Sequence, residues 1–126
     1  RKYLLLNINT LEKQFDKAGK WREHYSKQLK TKYLMLFQKF DSMIYLKAPS
    51  FKHVLNWRIK QENHLRKLNN KDMSSGMSTK EIANFIQYYE KITKWMLKKM
   101  PALSDIVLYI NKNQKISKIK KQTLKK

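Results

Sequence analysis

MIYLKAPSFKHVLNWRIKQENHL, residues 43–65, contains the change of period on which the fold turns. MIYL is a continuous apolar run, short and stopped by Pro49, and reads as a strand buried on both faces. Ser50 then stands at a helix start, where its hydroxyl can cap free amides. From Phe51 onward the pattern is helical. At about 100° per residue, Phe51, Val54, Leu55 and Leu65 share one face. Lys52, Asn56, Lys60, Asn63 and Lys67 fall on the opposite one. Arg58 and Glu62 do not join the polar side. They lie within the apolar stripe, four residues apart and within reach of each other, with Gln61 at its edge.

An inward charged pair is costly unless it is paired and hydrogen-bonded. Two readings of it stay open. One is an internal Arg–Glu bridge that pins the helix to its neighbours. The other is a cleft in which Arg58 meets an anionic ligand while Glu62 or Gln61 orients it. A nucleic-acid helix would mix aromatics with its outward lysines, yet Phe51 and Trp57 do not share a face with Lys60 and Lys67.

Downstream, residues 69–76 read as a loop, and Ser78-Thr79-Lys80-Glu81 fits a capping box with Met77 and Ile82 placed as a hydrophobic staple. Ile82, Phe85, Ile86, Tyr89, Thr93, Met96, Leu97 and Met100 predict one face of a long helix that Pro101 ends. DIVLYI (105–110) predicts a second buried strand. Asn111–Asn113 read as a turn into KISKI (115–119), an edge strand whose lysines discourage further pairing. Upstream, KYLLLNIN (2–9) is compatible with a strand, and Thr10–Gly19 with a loop or short helix. Residues 20–40 predict a helix whose stripe is Trp21, Tyr25, Leu29, Leu36 and Phe40. The expected order is β–α–β–α–α–β–β, an α/β layered fold with a partly parallel sheet. We expect one α/β domain over residues 1–119 and a basic tail over 120–126. So few buried strands imply part of a larger domain, and a first residue of Arg rather than Met points the same way.

The chain has 126 residues and a formal charge of +20, from 29 Lys+Arg against 9 Asp+Glu. Such a surface attracts polyanions by counterion release. The lysines are spread along the chain, however, and only residues 112–126 concentrate them, with seven Lys and no acid. Nucleic acid is therefore expected only as a non-specific partner, with a small basic nucleic-acid-binding module as the alternative function. Cysteine is absent, excluding disulfides and thiolate metal ligands. No apolar run approaches the roughly 20 residues of a membrane span, and cytoplasm is the default location. His24, His53 and His64 are scattered, without a metal-type pair, and no metal ligands are assigned. Asp16, Asp41, Asp72 and Asp105 sit at element boundaries and suit capping and turns, with Mg²⁺ or substrate contact the lesser option. The two glycines, Gly19 and Gly76, cannot make a G-x-x-x-x-G-K-[ST] phosphate loop within these residues.

The segment LKAPSFKHVLNWRIKQENHL (46–65) resembles the L-x-A-P-x-F-x-x-V-x-x-W-R-x-x-Q-E-x-x-L string of D-glycerate 3-kinase-like proteins, in the P-loop kinase class. NTLEKQFDKAGKWREHYSKQL (9–29), GMSTKEIANFIQYYEKITKWMLKKMP (76–101) and SDIVLYIN (104–111) resemble further segments of that family, in order. The resemblance implies the C-terminal half of a three-layer P-loop kinase fold. It implies phosphoryl transfer from ATP, with Mg²⁺, to a small hydroxy acid. Carried over by position, Arg58 and Glu62 would be catalytic, and Gln61 and Arg66 would bind phosphate or substrate. Asn9, Glu12, Asp16 and Arg22 match the upstream segment, where substrate contacts are expected. The nucleotide-binding half with its Walker A loop would be a partner of this chain. Without it the chain is expected to be inactive, or to be a degenerate relative serving as an interaction surface.

Overall fold

A computed structural model describes residues 2–69 and 76–122. A 3₁₀ turn (Lys2–Leu5) leads into α1 (Thr10–Phe15), α2 (Lys20–Lys30) and α3 (Lys32–Phe37). Then come β1 (Ile44–Lys47), α4 (Phe51–Leu68), α5 (Thr79–Leu103), β2 (Ile106–Ile110) and β3 (Ile116–Lys121). The sheet order is β1-β2-β3, with β1 parallel to β2 and β3 antiparallel to it. Parallel neighbours need a long crossover, and α4 and α5 supply it. With one parallel and one antiparallel pair the sheet is mixed, in line with the partly parallel sheet expected.

Asp105 sets the start of the parallel pair. Its Oδ2 accepts the Met43 N–H at 2.6 Å. The Asp105 and Ile106 amides in turn donate to the Met43 carbonyl at 2.9 and 3.2 Å. The register then pairs Ile44 with Ile106, Tyr45 with Val107 and Leu46 with Leu108. Tyr45 and Val107 share the face on which α5 packs against β1, and Val107 is 0% exposed.

The opposite face corrects the expectation of strands buried on both sides. Ile44, Leu46 and Ile119, aligned through Ile106 and Leu108, are 55%, 61% and 58% exposed. An unbroken apolar run states that both faces are apolar. It does not say that both are covered by the same piece of chain. At the edge, β3 is exposed throughout. On the helix side of the sheet, Lys47 and Lys118 lie 5.5 and 5.6 Å from the Tyr109 ring centre, within cation–π range. Lys120 and Lys121, assigned to the tail by sequence, still pair with Val107 and Ile106. The rest of the 69–76 loop, between Asn69 and Gly76, and Asp72 within it, lie outside the described residues.

The long helices form largely as their signals dictate. The capping box at α5 is complete: the Ser78 N–H donates to Glu81 Oε2 at 2.6 Å, and the Glu81 N–H to Ser78 Oγ at 3.2 Å. Ser50 occupies the N-cap of α4 but makes no capping bond; its hydroxyl instead meets His53 Nδ1 at 2.9 Å. Pro101 does not end α5, which runs on to Leu103. So close to the end, proline removes a single helical bond. Ser104 secures the last turn by donating to the Met100 carbonyl at 2.8 Å.

The first quarter departs further. KYLL is a 3₁₀ turn and not a strand, with Leu4 buried. The helix expected over 20–40 breaks at Thr31, whose hydroxyl donates back to the Lys27 carbonyl at 3.0 Å. The break takes α3 out of register with α2, so the 21–40 stripe never forms. Trp21, Leu36 and Phe40 are exposed, and the buried positions of α2 are Arg22 and Ser26.

Candidate functional site

Arg58 and Glu62 meet as their spacing requires: Arg58 Nη1 donates to Glu62 Oε2 at 2.8 Å. The bridge has a further purpose. Glu62 Oε1 accepts the Met77 N–H at 3.3 Å, and Arg66 Nη2 donates to the Met77 carbonyl. Arg66 Nη1 also holds Asn63 Oδ1 at 3.0 Å. One row of α4, at i, i+4 and i+8, therefore grips both backbone groups of the residue that leads into α5. Arg66, not Leu65, is the buried member of α4. Hydrogen bonds from Arg58 and the Met77 amide hold the Glu62 carboxyl below its ordinary pKa.

Gly76 belongs to this clamp. Its φ is +87°, and a Cβ there would stand 2.5 Å from Glu62 Oε1 and 3.4 Å from Arg66 Nε. A side chain at this positive φ would be strained, and its Cβ would require the Glu62 carboxylate to shift.

The other residues singled out by resemblance gather elsewhere, where the 3₁₀ turn, α1 and α2 meet α5. Asn9 caps α1 by accepting the Glu12 N–H at 3.0 Å, and its Nδ2 donates to the Gln87 carbonyl and to Glu90 Oε2, both at 3.0 Å. Asp16 accepts the Trp21 and Arg22 amides at 3.0 and 3.1 Å, the capping role expected of it. Gly19, at φ +76°, starts α2 under the Arg22 guanidinium. That guanidinium lies 3.5 Å from Asp16 Oδ2 and 3.9 Å from Glu12 Oε2. Among the described residues its buried Nε and Nη1 make no hydrogen bond.

The centre of this network is a residue the sequence does not single out. Lys91 is 2% exposed. Its Nζ lies 3.0 Å from Glu12 Oε2, and donates to the Leu4 carbonyl at 3.3 Å and to the Leu6 carbonyl. Loss of water pulls the Lys91 pKa down, and Glu12 works against that shift. Beside it, burial pushes the Tyr25 phenol up to about 12, with Glu12 adding to the rise. Lys91 sits off the Ile82–Ile86 stripe. In a chain with 29 Lys+Arg, no pattern marks one lysine as buried.

Cluster by cluster, Asn9, Glu12, Asp16 and Arg22 come together with Lys91, while Arg58, Glu62 and Arg66 line up on α4. Gln61 stands exposed one step from that row. Among the described residues no group of three or more His, Asp or Glu is arranged to hold a metal ion. No helix among them is long and apolar enough to cross a membrane.

No protein-family model matches the chain. Over 57 residues it is 37% identical to the "Uncharacterized kinase mug58" of Schizosaccharomyces pombe, covering 45% of this chain and 19% of that protein. The structure superposes on D-glycerate 3-kinase from Cryptococcus neoformans var. grubii with a TM-score of 0.62 at 18% identity, over 93% of this chain and 45% of that one. The chain carries a glycerate-kinase-like fold. The YGR205w protein matches with a TM-score of 0.52 at 19% identity, over 65% of this chain and 30% of that one. The glycerate-kinase-like fold is thus present in part, since the chain spans less than half the length of the proteins it matches.

Proposed function

We propose that this chain is the C-terminal portion of an ATP-dependent kinase that transfers a phosphoryl group to a small hydroxy acid such as glycerate, and that it needs further polypeptide to act. One observation carries the reading: nearly the whole chain, 93%, superposes on less than half of a D-glycerate 3-kinase. The exposed apolar face of the sheet supports it, because Ile44, Leu46 and Ile119 are apolar strand residues left more than half exposed.

The residues present do not by themselves fit ATP and Mg²⁺. Two isolated glycines cannot form a phosphate-cradling loop, and no metal-binding group is found among the described residues. Both would come from the remainder of the kinase. What this chain would contribute is the α4 row. Arg58, held by Glu62, offers a fixed guanidinium to an anionic oxygen, and Gln61 can bond a hydroxyl beside it. Arg66, Asn9, Glu12, Asp16 and Arg22 are positioning residues in this reading, since their side chains bond to their own fold. Transferring a phosphoryl group depends chiefly on such positioning and charge stabilisation. Nucleic acid would bind only through the +20 charge.

The coding sequence ahead of Arg1 is the direct test. An open frame containing G-x-x-x-x-G-K-[ST] agrees with the proposal, and its full-length product must then phosphorylate a hydroxy acid at the expense of ATP. A stop codon in place of that motif, or a full-length protein without this activity, defeats it.

A further inference from the structure

Residues 30–40 are exposed without a break. Yet Tyr33, Leu34, Met35, Leu36, Phe37 and Phe40 among them are large and apolar, each 43–66% exposed. Successive helical positions point about 100° apart, so Tyr33 to Phe37 cover every side of α3. A helix that is apolar all round normally lies in a core. The break at Thr31 instead turns α3 outward, and its packing among the described residues is chiefly against α2. The rings of Tyr33, Phe37 and Phe40 stand in line, with centroids 6.3 and 6.2 Å apart. Tight turns after α3 keep Phe40 in that line: the Lys39 and Phe40 amides donate to the Leu36 and Phe37 carbonyls at 3.0 and 3.2 Å. Exposure on all sides makes this a ridge, not a groove.

Charge says what kind of surface suits the ridge. Between Glu23 and Asp41 the chain holds Lys27, Lys30, Lys32 and Lys39 and no acid. A second copy would bring the same lysines, on a chain of +20, against its own. A protein partner would need a hollow shaped for the ridge and carboxylates around its rim. An anionic lipid surface needs no matching shape. Its acyl boundary yields to apolar side chains, and its headgroups meet the lysines. Aromatic rings and lysine stems suit that boundary, where a dry layer meets a wet one.

We propose that residues 27–40 dock this protein on an anionic lipid surface. The side chains from Tyr33 to Phe40 enter the acyl boundary, and the lysines meet the headgroups. The contact is peripheral, since no helix among the described residues is long and apolar enough to cross a membrane. It goes beyond the kinase reading and does not depend on it.

Vesicle co-sedimentation of the 126-residue chain tests it, at about 0.15 M salt. The vesicles are phosphatidylcholine, alone or with about one-quarter phosphatidylserine. The chain should sediment with the mixed vesicles and stay in solution with the neutral ones. A +20 chain meets any anionic surface, so the decisive variants hold charge fixed or move it. Leu36→Gln with Phe37→Gln leaves the charge unchanged and should weaken binding at least about 10-fold. Lys30→Gln with Lys32→Gln should weaken it about 5-fold per lysine. Lys52→Gln with Lys112→Gln, beyond the far ends of β1 and β2, should weaken it less. A measurement on the unaltered chain guards against a misfolded variant. A nitroxide-bearing lipid should broaden the NMR signal of the exposed Met35 methyl and spare that of half-buried Met96. Unchanged binding by the Leu36 and Phe37 variant overturns the proposal, as do equal losses from the two lysine pairs: bulk charge alone is then at work. So does a Met35 signal no broader than that of Met96. A full-length product that loses activity with the two glutamines yet never sediments with vesicles also overturns it, and makes the ridge a protein contact.

Discussion

The Lys91 ammonium and the Glu12 carboxylate lie 3.0 Å apart in the interior, joining α5 to a segment nearly 80 residues earlier in the chain (91 − 12 = 79). Leu4 and Leu6 carbonyls complete the ammonium's shell, so the leading segment is held by a buried charge where a strand was expected. Removing one partner of such a pair costs about 3–5 kcal/mol, because the other charge stays buried. Lys91→Met and Glu12→Gln should each lower stability by that order in urea denaturation. The double variant should lose less than the sum of the two. Additive losses, or neutral single variants, would show that the pair is not coupled.

What the sequence discloses follows its apolar periodicities. β1, α4, α5, β2 and β3 announce themselves through unbroken runs, i to i+4 stripes and a capping box, and the Arg58–Glu62 contact follows from spacing on one helix. The first 40 residues are different, since polar contacts hold them to the rest. Lys91, Glu12, Asp16 and Arg22 leave no hydrophobic period, and Asn9 reaches Gln87 and Glu90 across the fold. The resemblance implies substrate contacts at Asn9, Glu12, Asp16 and Arg22; within this chain their side chains bond to α1, α2 and α5.

Gly76→Ala should destabilise the junction of α4 and α5. At φ +87° any L side chain is strained by about 1–2 kcal/mol. The new Cβ would also force Glu62 Oε1 away from the Met77 amide, adding to that loss. A control at exposed Lys52 should change stability by no more than about 0.5 kcal/mol. Equal behaviour of the two variants in thermal melts would mean the clamp on Met77 contributes little.

Acid should weaken the fold through two carboxylates. Hydrogen bonds from Arg58 and the Met77 amide lower the Glu62 pKa, and the Ser78 amide and hydroxyl lower that of Glu81. Both groups then bind protons more readily in the unfolded chain. Their contribution is fully present above the unfolded value of 4.5 and disappears as pH falls through the lower folded values. Plotted against pH, the stability of Glu62→Gln should start lower at neutrality and fall less steeply below pH 4.5 than that of the parent. Parallel curves for the two proteins would remove Glu62 from the account.

The two sides of the sheet should respond oppositely to substitution. Val107 is 0% exposed, and Val107→Ala deletes buried methyl groups in a packed layer, a loss of about 2 kcal/mol. Leu46 and Ile119, 61% and 58% exposed on the other face, already meet solvent. Leu46→Glu and Ile119→Glu should therefore shift the stability of this chain by no more than about 0.5 kcal/mol each. Made together, they should reduce its self-association, because they break an exposed apolar patch. Urea denaturation with sedimentation at rising concentration reads both quantities. If the glutamates unfold the chain as severely as Val107→Ala does, that face is packed in solution and the reading of it as unfinished core is wrong. If they spare stability here yet abolish the activity of a full-length product, the face is where further polypeptide packs.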